Sequence, residues 1–282
     1  MYLIFDIGGT KTRIARSDDG RAYHAPVKFD TPLQYKEGIQ KIIDVGTRLA
    51  EGEIVEGLAG GIRGVLNREK TLMIQDPGKR LLDWGGRQLA HDLSHAFSDA
   101  PTLLENDSAI VGLGEATAGA GKGFSIVAYH TVSTGVGGAR IVDGRVDVTS
   151  AGFEPGHQVL DIDRTILGPA IEPTLENLVS GTALEKRRGV KPYEISQDDA
   201  VWDELARVLG YGIKNTVTYW SPDVIVLGGS MVVGDPRILR EDIVRHAKAA
   251  LGESLPCPPI FDAALADEGG LYGALALLQK NK

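Results

Sequence analysis

An apolar run, Tyr2 to Phe5, leads into Asp6-Ile7-Gly8-Gly9-Thr10-Lys11-Thr12, and an alternating run, Thr12 to Arg16, leads out of it. The pattern predicts strand, tight glycine turn, strand. Two adjacent glycines leave room for another group against the backbone, and their N–H groups can point at an anion. Asp6, at the end of the first strand, is placed to hold a hydrated metal ion, and Lys11 and the two threonines add donors. A dinucleotide-binding fingerprint needs a helix after its glycines, but here a strand follows. Taken alone, the glycine pair fits an ordinary hairpin turn. A second, similar segment narrows the choice: Ser125–Thr131 is strand-like, Ser133-Thr134-Gly135-Val136-Gly137-Gly138 is a turn, and Ala139–Val142 returns. Gly9-Thr10-Lys11-Thr12-Arg13-Ile14 and Val136-Gly137-Gly138-Ala139-Arg140-Ile141 both end in Arg-Ile on the returning strand. This predicts two halves of one fold whose glycine hairpins meet at one cleft, as half-sites for a metal-bound polyphosphate.

At 282 residues the chain has room for two domains with ample core. A net charge of −8 argues against a nucleic-acid partner, since phosphate backbones demand a basic face. No apolar stretch approaches the roughly 20 residues of a membrane span, and no signal peptide is recognised, so a cytoplasmic protein is expected. The single cysteine, Cys257, sits among prolines and allows neither an intrachain disulfide nor a zinc cluster of cysteines.

The first hundred residues predict strands at Tyr2–Phe5, Thr12–Arg16 and Tyr23–Phe29, and a helix over about Pro32–Leu49. A strand at Ile54–Ala59 follows, then an irregular glycine-rich loop, a helix over about Gln88–Phe97 and a strand at Thr102–Glu105. Asn106-Asp107 is a helix start, because both residues are good N-caps. The order implies a mixed sheet flanked by helices. Later come a long helix (about Asp199–Tyr219), a buried strand Val224–Leu227 ending in Gly228-Gly229-Ser230, and helices near Pro236–Leu251 and Gly269–Gln279.

Six segments then occur in order: Asp6-Ile-Gly-Gly-Thr-Lys-Thr, Glu105-Asn106-Asp107, Ser133-Thr-Gly-Val-Gly-Gly, Glu154-Pro-Gly-His157, Glu176 with Val179-Ser180-Gly181, and Val226-Leu-Gly-Gly-Ser230. The set resembles the ROK family of sugar kinases, which includes glucokinases, fructokinases and N-acetylhexosamine kinases. The resemblance implies an α/β fold of two actin-like, ribonuclease H-like domains with mixed sheets and an interdomain cleft. The expected partition is residues 1–106 with a C-terminal helix at about 268–282, and residues 107–267. It implies ATP and Mg²⁺ as cofactors, a small sugar as substrate and a homodimer. By motif, Asp107 falls on the catalytic base and Asn106 on neighbouring sugar hydroxyls, while Asp6 would order Mg²⁺ through water. Gly8, Gly9, Thr10 and Lys11, with Thr134, Gly135 and Gly137, would cradle phosphates, and Gly228 and Gly229 would face the adenosine. Gly64, Glu154, His157 and Glu176 fall on the sugar side.

The departures concentrate near the expected sugar pocket. The family's Cys-x-Cys-Gly-x-x-Gly-Cys motif should lie between His157 and Glu176, and residues 158–175 hold no cysteine, so no structural zinc is expected. Phe153 replaces a usual glycine, Pro155 a common apolar residue, and Arg63 stands before Gly64 where proline is common. Three other segments are decoys. His91-Asp92-Leu93-Ser94-His95 lacks the glutamate of a zincin helix. Gly119-Ala-Gly-Lys122-Gly123 lacks the spacing of a P-loop and reads as a turn. Lys186-Arg187-Arg188 reads as a helix C-terminus before Gly189. The expected activity is ATP-dependent phosphorylation of a free hexose, with glucose at its 6-hydroxyl the leading substrate and fructose, mannose and N-acetylhexosamines the alternatives. Two rival readings are a sugar-sensing regulator, for which the expected DNA-binding segment is missing, and a catalytically silent sugar- or nucleotide-binding protein.

Overall fold

The structure is a computed structural model and describes residues 1–280. The chain opens with β1 (Tyr2–Ile7), β2 (Lys11–Ser17), β3 (Val27–Asp30), α1 (Tyr35–Ala50) and β4 (Gly57–Ile62). A small hairpin of β5 (Val65–Leu66) and β6 (Met73–Gln75) follows, then α2 (Leu89–Ala96), β7 (Thr102–Asn106) and α3 (Asp107–Thr117). Next come β8 (Ile126–Val132), β9 (Val136–Val142), β10 (Arg145–Val146), α4 (Leu175–Val179), α5 (Gly181–Arg188) and α6 (Val201–Trp220). The chain continues through β11 (Val224–Gly228), α7 (Ser230–Val233), α8 (Arg240–Leu251), β12 (Ile260–Asp262) and α9 (Gly269–Lys280).

These elements form two units. One comprises Met1–Ala118, Gly144–Gly152 and the chain from Asp267 onward; the other comprises Gly119–Asp143 and Phe153–Ala266. Helix α3 therefore belongs to the first unit and not, as the sequence suggested, to the second. The reason is packing. Ile110 of α3 shares a core with Leu271, Ala274 and Leu275 of α9, and with Ile4 and Ala59 of the sheet.

In the first unit the sheet order is β3-β2-β1-β4-β7, antiparallel from β3 to β1 and parallel from β1 to β7. Leu3, Phe5 and Ile7 of β1 point to a core shared with α1 and α2, and Ile4 to the core shared with α3 and α9. A strand covered on both faces needs no polar alternation, which is why Tyr2–Phe5 is a continuous apolar run. The expected strand at Tyr23–Phe29 begins only at Val27, since Pro26 has no N–H for the ladder. The expected loop after Ala59 is instead the buried second half of β4. Its glycines are demanded by close approach: a Cβ on Gly60 would overlap the Phe5 ring, and one on Gly61 would lie 2.5 Å from Ile110 Cγ2. In the second unit β9, β8, β11 and β12 lie side by side, with β8–β9 antiparallel and the rest parallel. Every residue of β11 is buried, as its apolar run suggested. No described helix is long and apolar enough to cross a membrane.

Candidate active site

In the first unit, β1 delivers Asp6 to the sheet end and the chain reverses through Gly8-Gly9-Thr10 into β2. Gly8 N–H donates to Lys11 O at 3.0 Å, and the Thr31 hydroxyl donates to Gly8 O at 2.8 Å, so the turn is held from both sides. The N–H groups of Gly9 and Thr10 donate to no described group, which leaves them for an anion. Lys11 pairs with Asp30 on the neighbouring strand. Two arginines flank the tip: Arg80 Nε donates to Gly9 O at 3.0 Å, and Arg63 Nη1 lies 3.3 Å from the position a Cβ on Gly9 would take.

Two strands away, β7 ends at Asn106, whose side chain caps α3 by accepting the N–H groups of Ser108 (2.9 Å) and Ala109 (3.2 Å). Its Nδ2 donates to Gly64 O at 2.9 Å. Asp107, in the first helical turn, is thereby fixed; its Oδ1 accepts Ser108 N–H at 2.8 Å. Burial raises its carboxyl above the usual range, against the opposing pull of Ser108 N–H and the Arg63 charge. Burial, and then the charge of Asp107, push Asp6 up to about 6, although Arg13 lies 3.6 Å away. Carboxylates crowded in this way suit a divalent cation that keeps most of its waters and needs one or two protein oxygens. Asp6 fits that role.

In the second unit, the β8–β9 hairpin repeats the device. Ser133 N–H donates to Gly135 O at 2.8 Å, and the N–H groups of Thr134 and Gly135 donate to no described group. Glu176 lies under this turn: Oε2 accepts Val136 N–H at 2.8 Å and would sit 2.6 Å from a Cβ on Gly135. The residue expected on the sugar side thus braces the hairpin with one oxygen. Glu154 and His157 are exposed at the two ends of a 3-10 turn whose Pro155 and Gly156 are buried against β9. Phe153 packs edge-on against Trp220 at 4.9 Å, and Trp220 stacks on His130 at 5.4 Å, so the unusual aromatic anchors that turn to the end of α6. Gly228 does not open outward; a Cβ there would meet the Tyr129 hydroxyl at 2.5 Å, whereas Gly229 takes φ +88° and caps α7.

Residues 158–175 fold around Asp161. Its carboxylate accepts the N–H groups of Thr165 (2.9 Å), Ile166 (3.1 Å) and Leu167 (2.8 Å) and the Thr165 hydroxyl. Burial would raise it, but these donors outweigh burial and hold it below the usual carboxylate range. Among the described residues no group of three or more His, Cys, Asp or Glu could hold a metal ion. Asp76, Arg80 and the bracing role of Glu176 were missed in the sequence, and Asp161, weighed there only as a minor metal ligand with His157 and Asp163, instead gathers its loop; Asp76-Pro77-Gly78 at least carries a turn signature.

Mixed sheets flanked by helices, with a glycine hairpin closing each antiparallel strand pair, define the actin-like ATPase fold, and solved structures of that class superpose on the whole chain. Within it, the ROK family model matches residues 2–281, and the chain belongs to that family. The ROK hexokinase of Thermus thermophilus is 28% identical with a TM-score of 0.85, over 100% of this chain and 99% of that one. A ROK family glucokinase from Streptomyces griseus, solved with glucose and AMPPNP, is 25% identical with a TM-score of 0.78, over 99% of each. A fructokinase from Lactococcus lactis subsp. cremoris is 28% identical, over 82% of this chain and 79% of its own length.

Proposed function

We propose that this protein is an ATP-dependent sugar kinase acting on a free hexose, with glucose at the 6-hydroxyl as the leading substrate. The observation that carries this is Asp107: a half-buried carboxylate with raised proton affinity, locked by an Asn106 cap beside Asp6 and the Gly8–Thr10 turn. Asp107 takes the proton of the attacking hydroxyl as its oxygen approaches the γ-phosphorus. Asp6 holds Mg²⁺ through water, and that ion, when bound, neutralises charge on the phosphates. The open N–H groups of Gly9 and Thr10 receive phosphate oxygens, as do those of Thr134 and Gly135, with Gly137 beside them at the start of β9. Gly229, at the start of α7, borders the adenosine, with Gly228 packed behind it on Tyr129. Gly64 and Asn106, with Glu154, His157 and Glu176, define the sugar side.

Named relatives include a hexokinase, a glucokinase and a fructokinase, all at similar distance, so the sugar is a matter for assay. ADP release with Mg-ATP across a panel of hexoses, with Asp107→Asn alongside, is the direct test. Turnover on one sugar that drops about 10²–10⁴-fold in the variant supports the assignment. Turnover on none, with polyphosphate also tried as donor, overturns it in favour of a silent binding protein.

A further inference from the structure

Arg63 replaces the proline expected at its position, and the fold has built a support for it. Its Nε donates to Asp76 Oδ1 at 3.0 Å, and the Asp76 side chain is only 1% exposed. Asp76 is itself satisfied without Arg63, because it accepts the N–H groups of Gly78 (3.1 Å), Arg80 (2.7 Å) and Leu81 (2.7 Å). Burial would raise Asp76, yet those donors and the Arg63 charge hold it below the usual carboxylate range. It therefore stays ionised and orients the guanidinium. Gly78 leaves the space: a Cβ there would overlap Arg63 Nη2. Neither Nη has a hydrogen-bond partner among the described residues; Nη1 lies against Gly9 at the tip of the Gly8–Thr10 turn, and Nη2 against Gly78. The charge of Arg63 also reaches Asp107.

We propose that Arg63 is a further catalytic residue, an arginine supplied in cis that binds the phosphoryl group in transit between nucleotide and acceptor. This rests on the sugar-kinase reading above. In the step, the hydroxyl oxygen forms a bond to the γ-phosphorus while the bond from that phosphorus to the β,γ-bridging oxygen breaks. The electron pair leaves with ADP, and the hydroxyl proton passes to an Asp107 oxygen and then to solvent. Negative charge spreads over the three equatorial oxygens, and a planar guanidinium held by its Nε can donate both Nη groups to two of them. Fixed donors aimed at developing charge act without reorganising, which is what the Asp76 anchor provides. A lysine at this position would lack the fork.

The test uses Arg63→Met, Arg63→Lys and Asp76→Asn in the full chain, each checked by thermal melting. Expected for Arg63→Met is a loss of about a hundredfold or more in kcat with the sugar KM within about threefold. Guanidinium added to the buffer should restore part of that rate. Arg63→Lys should stay close to the methionine variant, and Asp76→Asn should fall between it and the parent protein. Binding of ADP with aluminium fluoride and Mg²⁺, measured by calorimetry without turnover, should weaken at least tenfold in Arg63→Met while ADP alone binds unchanged. An unchanged kcat, or a raised sugar KM with unchanged kcat, overturns the assignment. If the parent protein phosphorylates no sugar, the kinase reading fails on its own, and the aluminium fluoride comparison still decides Arg63: equal binding by both proteins overturns it. Where Arg63→Met does not fold, Arg63→Lys carries the same comparison.

Discussion

Two residues carry the sharpest consequences of burial. Asp107 must lose its proton to act, and burial raises its hold on it, so kcat/KM should climb with pH along an acid limb lying above the ordinary carboxylate range near 4. A pH–rate profile checks this, and a limb at or below that range contradicts it. Among the described residues the side chain of His130, fully buried on β8, hydrogen-bonds only to the Thr216 hydroxyl, at 2.9 Å through Nε2; its Nδ1 has no such partner. Burial drives it down to about 4. In the unfolded chain it protonates near 6.5, so between 6.5 and 4 the unfolded state binds the extra proton and stability is lost as the pH drops, by roughly 3 kcal/mol in all. Urea titrations from pH 7 to pH 4 should show that loss, and His130→Gln should abolish its share. At this scale the sequence was informative where a residue acts through its own position in the chain. Asn106 is the cap it promised, and Asp107 sits behind it. It was silent where the partner comes from elsewhere in the fold. Arg63 showed only as a departure from a pattern, because its anchor Asp76 and its neighbour Gly9 are joined to it by strand pairing. Glu176 showed as a motif residue, while its bond to Val136 N–H depends on where α4 lands.

At the scale of elements, the hairpins, the long helix α6 and the buried strand β11 were legible, since each repeats a hydrophobic period for long enough to be unambiguous. Short elements were not. The β5–β6 hairpin, α4 and β12 span too few residues to show a period, and β12 lies just after Pro258-Pro259. The glycines of β4 misled for a different reason: they are there for the Phe5 ring and Ile110, and not for a turn. Across residues 158–175 a single carboxylate, Asp161, gathers the chain. Asp161→Ala should therefore lower the melting temperature and open residues 158–175 to protease before the rest of the second unit. Limited proteolysis with mass mapping reads this directly, and first cleavage elsewhere would show that the loop has another staple. Lys186-Arg187-Arg188 does end a helix, with Gly189 taking φ +72°, and His91 and His95 are exposed on α2 beside Asp92 and Asp99.

For the whole molecule, nucleotide and sugar should stabilise the fold through binding alone. At a hundred times Kd, AMPPNP with Mg²⁺ should add about 2.7 kcal/mol to the unfolding free energy, with a further increment from the preferred hexose. Thermal melts of the parent protein and of Asp107→Asn should both show it, because the base acts on the reaction and not on occupancy; no shift in either would argue against a nucleotide site. The general architecture was readable from the repeated hairpin, and the resemblance put the C-terminal helix with the first unit, but not α3 or Gly144–Gly152. The chain passes between its units four times, and α9 returns to the first unit after the second is complete. There it lays Leu271, Ala274, Leu275 and Leu278 over Ile4, Ala15 and Ala59, side chains from the opening strands. During synthesis those strands emerge well before α9. That face of the first sheet has only α3, through Ile110, to cover it while the second unit is made. The unit whose strands come earlier in the chain is then the one completed later, and the nascent chain is most vulnerable to aggregation just before α9 leaves the ribosome.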